Sequence, residues 1–152
     1  MNKLSPMTRS KKVPPPVFSS EGVMFLLVQV GQAIEKEIET SLEKAELSGA
    51  KFGVLAKLVQ AGGPLALSDL AERLTCVRSN ITQLVDRLEA ERLVVRIEVP
   101  GDRRAVQAEI TDLGRERFLA GAARIKGVQH SLSRSLSGID RDALKHLLSI
   151  LR

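Results

Sequence analysis

The stretch SDLAERLTCVRSNITQLVDRL, residues 68–88, decides the fold of this 152-residue chain. Ser68 is a typical N-cap residue, and the spacing predicts a short helix over 69–74, a tight turn over 75–77 and a second helix over 78–91. One apolar face with the spacing i, i+3, i+4, i+7 is formed by Ile81, Leu84, Val85 and Leu88. The pattern therefore predicts a helix-turn-helix whose second helix is buried along one side and polar along the other.

After this second helix the hydrophobic period changes from 3.6 to 2 residues. Apolar and polar residues alternate over 93–99 and again over 104–110, as they do in strands with one buried face. Pro100 and Gly101 between them have the chemistry of a type II turn. The sequence therefore predicts a β-hairpin whose tip, residues 102–104, carries one aspartate and two arginines.

A long helix is predicted before the helix-turn-helix, over 19–47. Its residues 23–30 are apolar nearly all round, and such a helix needs more than one packing partner. A short helix over 51–61, ended by Gly62-Gly63-Pro64, follows it. Since a chain of this length has few elements to cover both apolar sides, we expect a second subunit to pack here.

Two further helices are predicted after the hairpin, within 111–152. Thr111 caps the first of them, which Gly138 breaks, and Asp140 caps the second. An apolar stripe on the last helix is formed by Leu144, Leu147, Leu148 and Leu151. The predicted fold class is mainly α with a small β-hairpin, a winged helix-turn-helix flanked by N- and C-terminal dimerisation helices.

The predicted domain organisation is one domain behind a short tail. Residues 1–18 hold four basic residues, no acid and the run Pro14–Pro16, which predicts a flexible basic, Pro-rich tail. Residues 19–152 are expected to form a single domain, with dimerisation helices over 19–47 and 111–152 and the winged helix-turn-helix over 51–110.

Composition excludes several classes of protein. There is no Trp or Tyr and only four Phe, so the aromatic platforms that stack single-stranded bases are missing. A single cysteine, no membrane-length apolar run and no secretory signal favour the cytoplasm. The chain contains no catalytic or nucleotide-binding motif, and it is expected not to be an enzyme and to need no cofactor or metal.

The polar side of the second helix is the candidate DNA-binding surface. A net charge of +5 permits a polyanionic partner. Short polar side chains on a rigid helix suit base edges in the major groove, and arginines at a hairpin tip suit phosphates or an adjacent minor groove. The residues expected to contact DNA are Arg78, Ser79, Asn80, Thr82, Gln83, Arg87, Asp102, Arg103 and Arg104.

Four segments together resemble the MarR family of multiple-antibiotic-resistance regulators. They are SDLAERL at 68–74, RSNITQLVDRL at 78–88, DRR at 102–104 and ITDLG at 110–114. Three positions depart from the family's pattern: Val77 replaces a capping Ser or Thr, Arg92 the Gly that ends the recognition helix, and Thr75 the Gly of the turn.

The resemblance implies a dimer built from the first and last helices that binds a pseudo-palindromic operator in double-stranded DNA. It implies a repressor, often released by a small phenolic or lipophilic ligand or by cysteine oxidation. It also implies that the wing Asp and Arg, here Asp102 and Arg104 with Arg103 beside them, support the recognition helix and reach the DNA.

Three alternatives stay open at this point. Cys76 is expected to be a small buried core residue, although Arg73 and Arg78 nearby would favour a reactive thiolate and a redox switch. His130, His146 and Cys76 lack the paired spacing of a zinc site. A winged helix used only as a protein–protein interaction module would not need the hairpin arginines or the Asn-Thr-Gln helix face.

Overall fold

The computed structural model describes residues 22–74, 78–99 and 102–150, with the backbone alone at 78, 99 and 102–105. These residues form six helices and three strands. The helices are α1 (Val23–Glu43), α2 (Gly49–Ala61), α3 (Leu67–Arg73), α4 (Arg78–Ala90), α5 (Asp112–Ser135) and α6 (Arg141–Ile150). The strands are β1 (Leu65–Ala66), β2 (Val94–Val99) and β3 (Asp102–Ile110).

The chain divides into two compact units at a point inside α1, Met1–Ile34 and Glu35–Arg152. In the second unit α5 packs on α2, α3 packs on α4, and β3 contacts α2. The largest fully buried side chains in this core are Leu42, Val54, Leu55, Leu58, Leu70, Ile81, Val85, Leu88 and Val94. The predicted mainly helical fold with a winged helix-turn-helix is confirmed.

The hairpin belongs to a three-stranded antiparallel sheet with the strand order β1-β3-β2. Strands β2 and β3 pair in register from Val94↔Ile110 to Glu98↔Val106. Strand β1 pairs Leu65 with Ala108 on the other side of β3. The sequence predicted the hairpin but not β1, because a strand of two residues is too short to show a period.

The boundary between α1 and α2 differs from the prediction of helices over 19–47 and 51–61. Helix α1 ends at Glu43, where Glu46 takes a left-handed φ of 55° and the Leu47 N–H donates to the Leu42 carbonyl at 3.1 Å. Helix α2 already begins at Gly49, since the Gly49 N–H donates to the Glu39 carboxylate at 2.8 Å. Ser48 caps the same helix end through Lys51 N–H, so side chains from two segments fix this start.

The predicted capping of the short helix by Ser68 is wrong. Helix α3 starts at Leu67, its N-cap residue is Ala66, and no side chain caps it. Ser68 lies inside the first turn, where its hydroxyl is 3.2 Å from the Asp69 carboxylate. Strand β1 ends at Ala66 and leads directly into α3, so the helix begins two residues earlier than local capping chemistry suggests.

Both predicted caps of the C-terminal helices are confirmed. The Thr111 hydroxyl accepts a hydrogen bond from Gly114 N–H at 2.9 Å, and the Asp140 carboxylate accepts from the N–H groups of Asp142 and Ala143. Helix α5 ends at Ser135, with Leu136 as its C-cap, ahead of the predicted break at Gly138. Within the described ranges, no helix is long and apolar enough to cross a lipid bilayer.

Candidate nucleic-acid interface

Helix α4 is buried along one side and open along the other. Ile81, Val85 and Leu88 are completely buried, and they fix both the rotation and the depth of the helix in the core. The opposite side of the helix exposes five of the predicted DNA-binding side chains, which are Ser79, Asn80, Thr82, Gln83 and Arg87. Arg78 is the first residue of α4, and its side chain is not among those described.

Arg96 on strand β2 ties the hairpin to α4. Its guanidinium pairs with the Asp86 carboxylate, lies 3.5 Å from Glu89 Oε2 and donates to the Thr82 carbonyl at 3.4 Å. Its backbone N–H donates to Glu89 Oε1 at 3.2 Å. One arginine therefore connects three residues over two turns of the helix to the strand that carries the hairpin.

The sequence analysis did not identify Arg96 as part of the site. The available signal was an arginine on the same strand face as the buried Val94, since alternate residues share a face. Asp86 and Glu89, three apart on the predicted helix, were the matching acids. Within the described part of the chain, Arg96 Nε is buried without a hydrogen-bond partner, and the guanidinium is held through Nη1 and Nη2.

The arrangement removes negative charge from the exposed side of α4. Every carboxylate in residues 78–91 is paired with a cation from another element: Asp86 and Glu89 with Arg96, and Glu91 with Lys51 of α2. Arg87 on the same helix has no ion pair among the described residues. Such partly exposed pairs contribute little stability, but they set the local sign of the potential that a polyanion would meet.

The segment Ile110–Gly114 joins the end of α4, the end of the hairpin and the start of α5. The Thr111 hydroxyl oxygen lies 2.8 Å from the Arg92 carbonyl and 3.1 Å from the Leu93 carbonyl, both just after α4. A Cβ atom added at Gly114 would lie 2.1 Å from the Leu93 carbonyl oxygen. Only glycine permits this approach, so the motif positions α4 relative to α5.

Arg92 ends the α4 segment in a conformation that usually belongs to glycine. Its φ is 61°, its N–H donates to the Glu89 carbonyl at 2.8 Å, and the Leu93 N–H donates to the Leu88 carbonyl at 2.9 Å. This is the hydrogen-bond pattern of a Schellman cap. The chain therefore turns at the position where the sequence lacks the expected glycine, and it does so with an arginine in the left-handed region.

The hairpin tip differs from the prediction in where the second strand begins. Strand β3 starts at Asp102, which pairs with Val99, whereas Val106 pairs with Glu98. One step along β2 thus faces four along β3, and Arg103 and Arg104 lie in a bulged part of the strand. A bulge re-aims the residues that it contains, an irregularity that period-2 alternation cannot reveal.

Three predicted features lie outside the residues that the structure describes: the tail over 1–18, the tight turn over 75–77 and the Pro100-Gly101 turn. Cys76 lies in the segment 75–77, between α3 and α4, which is not described, so its assignment as a core residue and the redox alternative both stay predictions. In the described ranges, no three His, Cys, Asp or Glu side chains are grouped as a metal ion would require.

Comparison with known proteins agrees with this geometry. A model of the MarR family matches residues 45–105. YkoM of Bacillus subtilis, an uncharacterized HTH-type transcriptional regulator, is 30% identical over 135 residues, which cover 87% of this chain and 85% of YkoM. The transcriptional repressor MdtR of the same organism is 37% identical over 97 residues, 62% of each chain.

Solved structures give the same result. The repressor CouR bound to a 23-mer DNA duplex superposes with a TM-score of 0.71 and 26% identity, covering 87% of this chain and 91% of CouR. CouR from Rhodococcus jostii RHA1 bound to p-coumaroyl-CoA superposes with a TM-score of 0.69, also at 26% identity, covering 87% of this chain and 90% of CouR. YkoM is 30% identical over most of this chain, and the MarR family model matches its central part. The chain therefore belongs to the MarR family of transcriptional regulators.

Proposed function

We propose that this protein is a cytoplasmic, dimeric repressor that binds a pseudo-palindromic site in double-stranded DNA. The observation that carries the proposal is the charge pattern of α4. Its exposed polar residues and Arg87 face outward, while both of its carboxylates are paired with Arg96, and Glu91 just after it is paired with Lys51. A helix whose exposed side combines hydrogen-bonding groups with compensated acids suits the major groove.

The division of labour between helix and hairpin follows from rigidity. Asn80, Thr82 and Gln83 lie on a helix whose opposite side is locked in the core, so they hold the geometry that base edges require. Arg103 and Arg104 lie on the bulged strand, where long cations suit phosphates or an adjacent minor groove. Arg78, Ser79, Arg87 and Asp102 complete the proposed surface.

A dimer is supported by apolar side chains that the single chain leaves exposed. Helix α6 has no buried residue, and Leu148 and Ile150 are 61% and 66% exposed. Near the start of α1, Val23 and Met24 are 69% and 57% exposed. Patches of this kind mark protein–protein interfaces, and a dimer places two copies of α4 on one DNA duplex.

Repression and release by a small lipophilic or phenolic ligand are supported by relatives. MdtR is named as a repressor, and CouR has been solved both on DNA and with p-coumaroyl-CoA. By the same reasoning we propose that DNA binding by this chain is relieved when a small molecule binds.

The deciding experiment is fluorescence anisotropy with the DNA that flanks the protein's own gene, competed with random duplex. We expect specific affinity in the range of about 10⁻⁸–10⁻¹¹ M and binding to random DNA at least about a thousandfold weaker. Binding of neither duplex, while the protein is folded, would favour the alternative of a protein–protein interaction module.

A further inference from the structure

The hairpin leaves the protein core at the position of Arg96. Val94, Arg96 and Glu98 share one face of β2, and along it the side chains change from buried through half-buried to exposed. Opposite Arg96 on β3 lies Ala108, which is completely buried. Apolar packing therefore holds the base of the hairpin more firmly than its outer part, residues 97–106.

The polar contacts described above between β2 and α4 all involve Arg96. Strand β2 lies at an edge of the sheet, so its outer side is available to α4. Nη2 of Arg96 pairs with Asp86 and donates to the Thr82 carbonyl at 3.4 Å. Nη1 lies 3.5 Å from Glu89 Oε2, and the backbone N–H donates to Glu89 Oε1 at 3.2 Å. Because a guanidinium is a rigid, planar set of donors, these contacts together fix the tilt of the hairpin against α4.

The proposed phosphate contacts of the hairpin lie beyond this point. Asp102 pairs with Val99, which is three residues along β2 from Arg96. Arg103 and Arg104 follow directly in the chain. A strand spans about 10 Å over three residues, so a change of tilt at Arg96 moves the tip of the hairpin relative to α4. Contacts from α4 and from the tip reach one duplex together only when that separation is correct.

We propose that Arg96 is a positioning residue for DNA binding, which holds the hairpin at the tilt that lets α4 and the hairpin arginines bind the same duplex together. This inference rests on the proposed function and goes beyond charge compensation, since it gives Arg96 a mechanical role. The side chain of Arg96 is 29% exposed, and those of Asp86 and Glu89 are 51% and 40% exposed. Pairs this exposed contribute little to stability, so the loss of Arg96 affects DNA binding more than folding.

The first test compares two half-buried arginines in the full chain. We expect Arg96→Gln to lower operator affinity by about tenfold, which is within the range of coupling energies in one salt-bridge network. The matched control is Arg117→Gln. Arg117 is 27% exposed, pairs with the Glu46 carboxylate and donates to the Ala45 carbonyl at 3.4 Å, away from the hairpin. It should keep the operator affinity of the parent chain, and equal losses in the two variants would overturn the proposal.

A double-mutant cycle tests whether Arg96 acts through the hairpin. In a chain that already carries Arg103→Ala and Arg104→Ala, Arg96→Gln should cost little further operator affinity, because the contacts that it positions are already absent. The combined variant should also keep the salt slope of the hairpin variant. A direct phosphate contact by Arg96 would instead flatten the slope by about two more in a dimer, at about 0.9 per contact. Additive losses in the cycle would show that Arg96 does not act through the hairpin.

Two further variants separate the position of the hairpin from the charge on α4. Adding Asp86→Asn and Glu89→Gln to Arg96→Gln removes the two acids together with their cation, so α4 carries less negative charge than in the parent chain. Arg96→Lys keeps the positive charge but loses the planar donor set. Both variants should bind the operator more weakly than the parent chain. Full recovery of affinity in either one would show that Arg96 acts by charge alone and would overturn the proposal.

Hydrogen exchange without DNA separates this proposal from the proposed function. In Arg96→Gln we expect the backbone amides of residues 97–99 to exchange about tenfold faster than in the parent chain, because the hairpin opens locally more often. In Arg117→Gln these amides should exchange at the parent rate. Unchanged exchange in Arg96→Gln would overturn the positioning role. A parent chain that binds no DNA, together with faster exchange in Arg96→Gln, would contradict the proposed function but not the role of Arg96 in holding the hairpin.

Discussion

Helices α2, α3 and α4 and helix α6 all have an apolar face, but that face is buried in the first three and exposed in α6. In α2, α3 and α4 the apolar face is buried within the chain, with Leu55, Leu70 and Ile81 at zero exposure. In α6 an equally regular apolar face stays open, with no residue buried. Periodicity thus identifies which face of a helix is apolar, but not whether the covering partner is in the same chain.

The largest expected effect comes from breaking the proposed dimer at the open face. Leu148→Glu puts a charge on the exposed apolar face of α6, where a partner would have to bury it at high cost. We expect a folded monomer by sedimentation and a loss of operator affinity of at least about a hundredfold, because two linked binding units become one.

Ser149→Glu is the control for this prediction, since Ser149 is the neighbouring polar residue, whose hydroxyl donates to the His146 carbonyl at 2.7 Å. It should keep the dimer and its DNA affinity. A Leu148→Glu chain that still sediments as a dimer would mean that the exposed face of α6 is not the interface.

In the packed region we expect a loss of stability from a substitution at Gly114. Gly114→Ala would force a Cβ atom against the Leu93 carbonyl oxygen, 2.1 Å away, and backbone must move to relieve it. We expect a loss of about 2–3 kcal/mol in the free energy of unfolding, measured in urea at fixed protein concentration. Gly127→Ala on the same helix meets nothing within 4 Å and should stabilise the chain by about 0.5–1 kcal/mol.

Features set by local sequence could be predicted, whereas contacts between packed elements could not. Ile81, Val85 and Leu88 were predictable because they repeat with the helical period, and Thr111 because a cap is a local interaction. The start of α2 at Gly49 and the contacts of Arg96 depend on carboxylates that are ten and seven residues away. Such contacts exist only once the helices have packed, and no local pattern contains them.

The proposed interface can be divided by comparing the rigid helix with the bulged hairpin. Gln83→Ala is expected to cost about 1–3 kcal/mol per half-site on the operator and to leave random DNA nearly unaffected, because it removes a base contact. Arg103→Ala with Arg104→Ala is expected to weaken operator and random DNA to a similar degree, because it removes phosphate contacts.

A salt series measures this difference. A dimer with about six to eight phosphate contacts gives a log–log slope of about −5 to −7, and the double arginine variant should flatten it by up to about four. Gln83→Ala should leave the slope unchanged. A hairpin variant that lost only operator binding and kept its slope would show that the hairpin recognises sequence or shape.

The smallest expected effect concerns the residues with a left-handed φ that follow three of the helices. The left-handed residue that follows α2 is Gly62, with a φ of 72°, whereas Arg92 follows α4 and Glu46 follows α1, with φ values of 61° and 55°. The left-handed conformation costs a residue with a Cβ atom about 1–2 kcal/mol. Glycine avoids this cost, but it loses more conformational entropy on folding, which offsets part of the gain in stability.

Arg92→Gly is therefore expected to raise the free energy of unfolding by about 0.5 kcal/mol, seen as a higher urea midpoint with an unchanged m-value. The Thr111 hydroxyl donates to the backbone carbonyl of residue 92 and not to its side chain, so the substitution keeps this hydrogen bond. Glu46→Gly should gain less, because it also removes the ion pair between Glu46 and Arg117. If Glu46→Gly gained as much as Arg92→Gly, that ion pair would contribute nothing, whereas a lower midpoint for Arg92→Gly would show that the arginine side chain itself stabilises this end of α4.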